Sequence, residues 1–177
     1  KVLPRGAERY RTDKAYNLHL VNIDDCDGKE GYPKLNAVDA KPRDFVSFNF
    51  YKQVKERDVG VHFCIDDYKF ERIWNEPEKY VDALREFERV VTPDFSVYLD
   101  MPVPMRKWNI YRSRALGNWR QRQGLTVVPN LTLSDAESIE YSVDGMPKHS
   151  TVFLSTLGVN RDKQAREICL YGMKHSV

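Results

Sequence analysis

Cysteine is scarce: Cys26, Cys64 and Cys169 lie far apart, are odd in number and form no C-x-x-C pair. That excludes a disulfide framework or an iron–sulfur cluster and suits buried thiols in a reducing compartment. No run approaches the roughly eighteen apolar residues of a membrane span, and the N-terminal region has no signal-peptide core. A cytoplasmic protein without a membrane partner is expected. A large charge of one sign is missing too: the net charge is +2 over 177 residues, too small to argue for nucleic acid globally, so any such signal must be local. The glycine loops G-x-G-x-x-G and G-x-x-x-x-G-K-[ST] are absent, as is G-x-S-x-G, which removes the support for a dinucleotide site, a P-loop or an α/β-hydrolase.

Metal signatures are equally thin. His62 and Cys64 share a strand face, but H-x-E and P-C-x-x-C are not there, and a packed strand pair is the expected reading. His19, His149 and His175 have no acidic or cysteine neighbours at ligand spacing. Asp24-Asp25-Cys26-Asp27-Gly28 fails as a calcium loop, because with Gly28 sixth the first and twelfth positions are Ile23 and Lys34. No metal is expected, and no cofactor can be named. The sequon Asn130-Leu131-Thr132 is a chance match in a chain without an export signal.

What is present is enough apolar material, 41% of residues, for one sizeable core. A single α/β domain over 1–177 is expected, with a less regular segment over 1–58. The chain starts at Lys1, not Met, as a processed or trimmed chain would. Strands are expected at Leu18–Ile23 and Phe45–Phe50. From residue 59 the pattern becomes repeated strand–helix units. Val59–Ile65 leads through Asp66 and Asp67 to a helix capped by Asn75, with Tyr80, Leu84, Phe87 and Val91 at helical spacing. Phe95–Leu99 follows the turn Thr92-Pro93-Asp94 and ends at Asp100. Leu125–Pro129 leads through Asn130 to a capping box at Ser134–Glu137. Thr151–Leu154 ends in Ser155 and Thr156, and Asn160 caps the last helix. The expectation is a mainly parallel sheet forming an incomplete or irregular barrel, with an open doubly wound sheet as the alternative.

One local charge cluster stands out. Between Met101 and Ser134 there is no acid, while Arg106, Lys107, Arg112, Arg114, Arg120 and Arg122 crowd among Trp108, Tyr111 and Trp119. Wound as a helix, the segment sets Arg112 inside an apolar stripe, where it needs a carboxylate or a bound anion. Asp100, Asp66 or Asp67 is the expected partner. In parallel sheets the ligand crevice lies at the carboxyl edge of the strands. Asp66, Asp67 and Asp100 are therefore the candidate catalytic carboxylates, Arg112 and Arg114 the holders of an anionic substrate, Asn130 its orienting amide, and Trp108 and Tyr111 the rings against it. Acids and amides are also frequent at turns and caps, which is the plainer reading of any one of them.

The stretches VHFCIDDYKFERIWNEPEKY, TPDFSVYLDMP, WNIYRSR, VVPNLTLSDAES and VDGMPKHSTVFLST, with the earlier GYPKLNAVD and VSFNF, occur in unbroken order. In them the chain resembles a family of bacterial, phage and mobile-element proteins catalogued as a domain of unknown function. The shared features are Asp66-Asp67 with Phe70-Glu71-Arg72, Asp100–Pro102, Trp108–Arg114 and Ser134–Ser138. Relatives tend to read Pro-Thr-x-Ser-Trp-Ser-Asp where this chain has Pro129–Asp135, and tend to continue to a further strand beyond the last helix. An edge or closing strand is therefore expected to be missing here. The resemblance implies no established reaction. It does imply a phage-type setting, with host cytoplasm as the location and nucleic acid or a nucleotide-like anion as the partner. Two classes follow: an enzyme using carboxylates at the strand ends, or a nucleic-acid-binding or host-interaction module using the basic aromatic helix 105–123. Carboxylates converging in a pocket would favour the first, and cations spread over an open face the second.

Overall fold

Glycine and β-branched residues set the strand geometry. The structure, a computed structural model, describes residues 14–41, 44–157 and 163–175. A short antiparallel pair, β1 (Cys26–Asp27) with β2 (Tyr32–Pro33), turns through Gly28 at φ +84°. A Cβ there would lie 1.7 Å from Asp144 Oδ1, so both the turn and the packing demand glycine. Four parallel strands follow in sequential order: β3 (Phe45–Ser47), β4 (Gly60–His62), β5 (Arg89–Val91) and β6 (Val127–Val128). Register aligns Val46, Val61, Val90 and Val127 across the sheet, and this row faces the helices. Beyond β6, Phe153 adds one parallel bridge to Asn130.

The sheet is α/β and parallel, as expected, and it is open rather than a closed barrel. It nevertheless curls. The rings of Phe45 on β3 and Phe153 beyond β6 meet edge-on at 5.2 Å, and Val38 O accepts from Thr151 N at 2.8 Å, drawing the two edges toward each other without joining them.

Helices α1 (Arg72–Asn75), α2 (Val81–Arg85) and the long α3 (Val103–Arg122) cover the valine face, and the later helices α4 (Ala136–Ser142) and α5 (Lys163–His175) pack against each other. Ala115, Leu116 and Trp119 of α3 are buried in the core beside Phe63, Leu84 and Val127. Gly117 lets α3 approach closely: a Cβ would stand 2.6 Å from Thr92 Cγ2 and 2.8 Å from Leu35 Cδ2. Gly117→Ala should cost about 1–3 kcal/mol by overpacking. Chemical unfolding checks this, and an unchanged midpoint would contradict the packing.

Several elements differ from the sequence pattern. Leu18–Ile23 is no strand; two 3-10 turns, Leu18–Leu20 and Ile23–Asp25, occupy it, with Asn17 left-handed at φ 54° and Asn22 capping Asp24 N. The helix expected from Asn75 is broken at Pro77, which opens the 3-10 turn Pro77–Tyr80 ahead of α2. Arg89–Val91, which carries the end of the apparent helical pattern, is the strand, and Phe95–Leu99 is irregular. The helix at 136 is capped by Asp135 with Ser138, one residue later than the Ser134–Glu137 pattern. Asn160 lies outside the described residues. Among those described, no helix is long and apolar enough to cross a membrane.

Candidate functional site

Moving a strand from 95–99 to 89–91 changes what lies at its carboxyl end. That end is Asp94, and the residues leaving β4, β6 and the Phe153 segment stand around it. Asp94 Oδ1 accepts from Asn130 Nδ2 at 2.7 Å and from Thr132 Oγ1 at 2.8 Å. The Cys64 thiol stands beside Asp94, and Ser155 stands beside Cys64. Asn130 is held in turn by its own N–H to Thr92 Oγ1 at 2.8 Å. A cavity of about 610 Å³ opens here, with Cys64, Asp66, Asp94, Ser96, Thr132 and Ser155 among its polar walls. Its apolar walls include Leu131, Leu133 and Leu154 from the loops and Ile168 from α5. That volume suits a small molecule.

Burial sets the chemistry of the two central groups. It raises the Asp94 carboxyl above the ordinary carboxylate range, a shift reinforced by the nearby Asp67 charge and resisted by the bonds from Thr132, Asn130 and Cys64. Burial likewise pushes the Cys64 thiol up to about 12, so at neutral pH it is a protonated donor and not a nucleophile. Among the described residues, no three His, Cys, Asp or Glu side chains are grouped to hold a metal ion.

The structure places the sequence-derived candidates in different surroundings. Asp66 lines the cavity, with Lys69 Nζ at 2.6 Å. Asp67 stands behind the wall and accepts from Ser96 N at 3.1 Å and from Ser96 Oγ at 2.7 Å. Asp100 is on an exposed turn and does not line the cavity. Trp108 and Tyr111 stack on each other at 5.3 Å beside a separate shallow groove. Asn130 is brought to Asp94. Thus Asp66, Asp67 and Asn130 gather near one point, while Asp100, Trp108 and Tyr111 do not.

Arg112 is buried, as the apolar stripe required, but its partner is Glu71 and not Asp66, Asp67 or Asp100. Its Nη1 is 2.5 Å from Glu71 Oε1, its Nη2 is 2.7 Å from Asn109 Oδ1, and its guanidinium sits 3.8 Å over the Phe95 ring. Asn109 Nδ2 then donates to Ser96 O at 2.5 Å. A continuous run of bonds therefore ties Arg112 to the backbone just beyond Asp94. Arg114 does the same for β6: fully buried, it donates to the carbonyls of Asn130 at 3.2 Å, Ser142 at 2.5 Å and Asp144 at 3.4 Å. Burial lowers its pKa to about 10, which leaves it charged at neutral pH. Neither arginine lines the cavity.

The basic helix is thus not an open cationic face. Arg106 is buried and bonds Asp135 Oδ2 at 2.7 Å, Lys107 holds Glu30 Oε1 at 2.7 Å, and Arg114 and Arg120 are fully buried. Arg120 packs near the Phe63 ring with no hydrogen-bond partner among the described residues. If single strands bind at all, these four cations should contribute almost nothing to the slope of log K against log[salt]. A slope that flattens by about 0.7 on Lys107→Ala would show that this residue does reach phosphate.

The family model described as Domain of unknown function (DUF4417) matches residues 25–177. This chain belongs to the DUF4417 family. Two relatives are both "Gene 1 protein" from mycobacteriophages. That of Mycobacterium phage L5 is 33% identical over 148 residues, which is 82% of this chain and 65% of the relative. That of Mycobacterium phage D29 is 30% identical over 145 residues, 80% of this chain and 54% of the relative. The DUF4417 chain therefore spans between about half and two thirds of these relatives' length. No solved structure matches it. In this DUF4417 domain the residues that the sequence pattern missed are Asp94, Thr132 and Cys64. The signal that could have found Asp94 is an acid three residues after the apolar pair Val90-Val91, in Thr92-Pro93-Asp94, close to the run-then-acid form of Ile65-Asp66.

Proposed function

We propose that this DUF4417 chain is an enzyme whose reaction takes place in the cavity at the carboxyl ends of β4, β5 and β6, with Asp94 as the group that exchanges a proton with a small substrate. The observation that carries this is a desolvated carboxyl at a strand end, oriented by Asn130 and Thr132 and facing a small-molecule cavity. A raised pKa is what a general acid or base needs near neutral pH. Both hydrogen bonds fall on Oδ1, which leaves the second oxygen freer for a substrate proton. Asp67 and Arg112 act through Ser96 and Asn109 to fix the backbone beyond Asp94, and Arg114 fixes that of Asn130. They are positioning residues. Asp66 and Lys69 stand at the same cavity as an ion pair, where they can meet a polar end of the substrate.

The phage-type setting suggests nucleic acid or nucleotides as partners, but among the described lining residues a nucleotide-like anion would meet a single cation, Lys69, which is already held by Asp66. A bacterial small-molecule extract incubated with wild type and with Asp94→Asn, followed by mass spectrometry, tests the enzymatic reading. It predicts a metabolite consumed by the wild type alone. Identical profiles from the two folded proteins would overturn it.

A further inference from the structure

Around Asp94 the polar side-chain hydrogens with a fixed acceptor point at other protein groups: Thr132 Oγ1 gives its proton to Asp94, Ser96 Oγ gives its proton to Asp67, and Asn130 Nδ2 donates to Asp94 and Thr132. What these groups turn toward a ligand is therefore lone pairs. The Asp94 carboxyl receives two neutral donors, Asn130 Nδ2 and Thr132 Oγ1, and, among the described residues, no ammonium or guanidinium. Lys69, a cation on the lining, is 2.6 Å from Asp66 Oδ2. Behind the wall, Asn130 Oδ1 is buried with no hydrogen-bond partner among the described residues.

We propose that the group this cavity takes up beside Asp94 is a primary ammonium on an aliphatic stem. This names the substrate class of the site proposed above and rests on that reading. An ammonium brings three N–H donors and no acceptor, the complement of a wall that presents acceptors. Its charge balances Asp94, whereas a phosphate or carboxylate would be desolvated beside a like charge with few donors to meet it. The rest of the cavity is built for an unbranched or aliphatic stem: Leu131, Leu133, Leu154 and Ile168 line it, while the arginines that would clamp an anion are turned into the protein.

The probe is hexylammonium, with hexan-1-ol and hexanoate as isosteres, titrated into the folded chain at pH 7.5 and followed by amide NMR shifts of residues lining the cavity. The expected result is saturable binding of hexylammonium, at least about tenfold weaker binding of hexan-1-ol, a difference of about 1.4 kcal/mol, and no binding of hexanoate. Asp94→Asn should weaken the amine at least about tenfold and leave the alcohol unchanged. If Asp94→Asn does not fold, Thr132→Val, which removes one acceptor, should narrow the gap between amine and alcohol. The inference is overturned if the amine fails to bind, if either isostere binds as tightly, or if the variant that folds leaves the ranking unchanged. Failure of the amine while wild type alone still consumes a metabolite would remove the ammonium class and leave the acid–base role of Asp94 standing.

Discussion

Asp94→Asn is expected to lower turnover by about 10²–10⁴-fold while the protein stays folded and becomes no less stable at neutral pH. Asparagine keeps an oxygen where Asp94 Oδ1 accepts from Asn130 and Thr132, so the local bonds survive. What is lost is a carboxyl that burial disfavours in its charged form. The sign follows from linkage. A folded-state pKa above the unfolded value means that the folded wild type binds the extra proton. Wild-type stability therefore falls as pH rises from the ordinary carboxylate range through the folded pKa. The asparagine variant lacks that decline. Urea unfolding from pH 4 to 8 should show the two stability curves diverging, with the variant relatively more stable toward neutral pH. A variant that unfolds at neutral pH, or one that keeps full turnover, would assign Asp94 to scaffolding.

Arg114→Ala is expected to destabilise the fold by about 3–5 kcal/mol, combining a cavity under α3 with three carbonyls deprived of a buried donor. The loss should be seen as a shift of the urea midpoint with little change in slope. Arg112→Ala should cost less, because Glu71 is partly exposed and can recover water when its partner leaves. A loss below about 1 kcal/mol at Arg114 would mean that the guanidinium is not seated on the carbonyls of Asn130, Ser142 and Asp144.

The two effects share one arrangement. Helix α3 carries Asn109, Arg112 and Arg114 within two turns, and each reaches inward to a carbonyl or amide rather than outward to solvent. Read in sequence, the same residues resemble a nucleic-acid-binding helix, because charge and aromatic content register there and burial does not. The helical period was legible, and so was the need for a partner at Arg112. The partners were not: Glu71, Ser142 and Asp144 lie 41, 28 and 30 residues away from the arginines they meet, and nothing local encodes those contacts.

The parallel sheet was legible from strand–helix alternation, while the position of β5 was not. Leu84, Phe87 and Val91 fall at helical spacing because α2 is short and the strand after it is buried on both faces, which leaves no two-residue alternation. Arg89, charged yet buried and bonded to the Lys41 carbonyl, disguised the strand further. That shift hid Asp94 as a turn residue. Asn130, by contrast, does follow a strand, because β6 (Val127–Val128) lies within the expected Leu125–Pro129.

The proposed role of Asp94 depends on its being a desolvated carboxyl at the cavity. Its side-chain carboxyl carbon can be followed directly by ¹³C NMR as a function of pH, with Asp94→Asn identifying the resonance. The expected midpoint lies above the ordinary aspartate value of about 3.9, and a midpoint at or below that value would contradict the role proposed for Asp94.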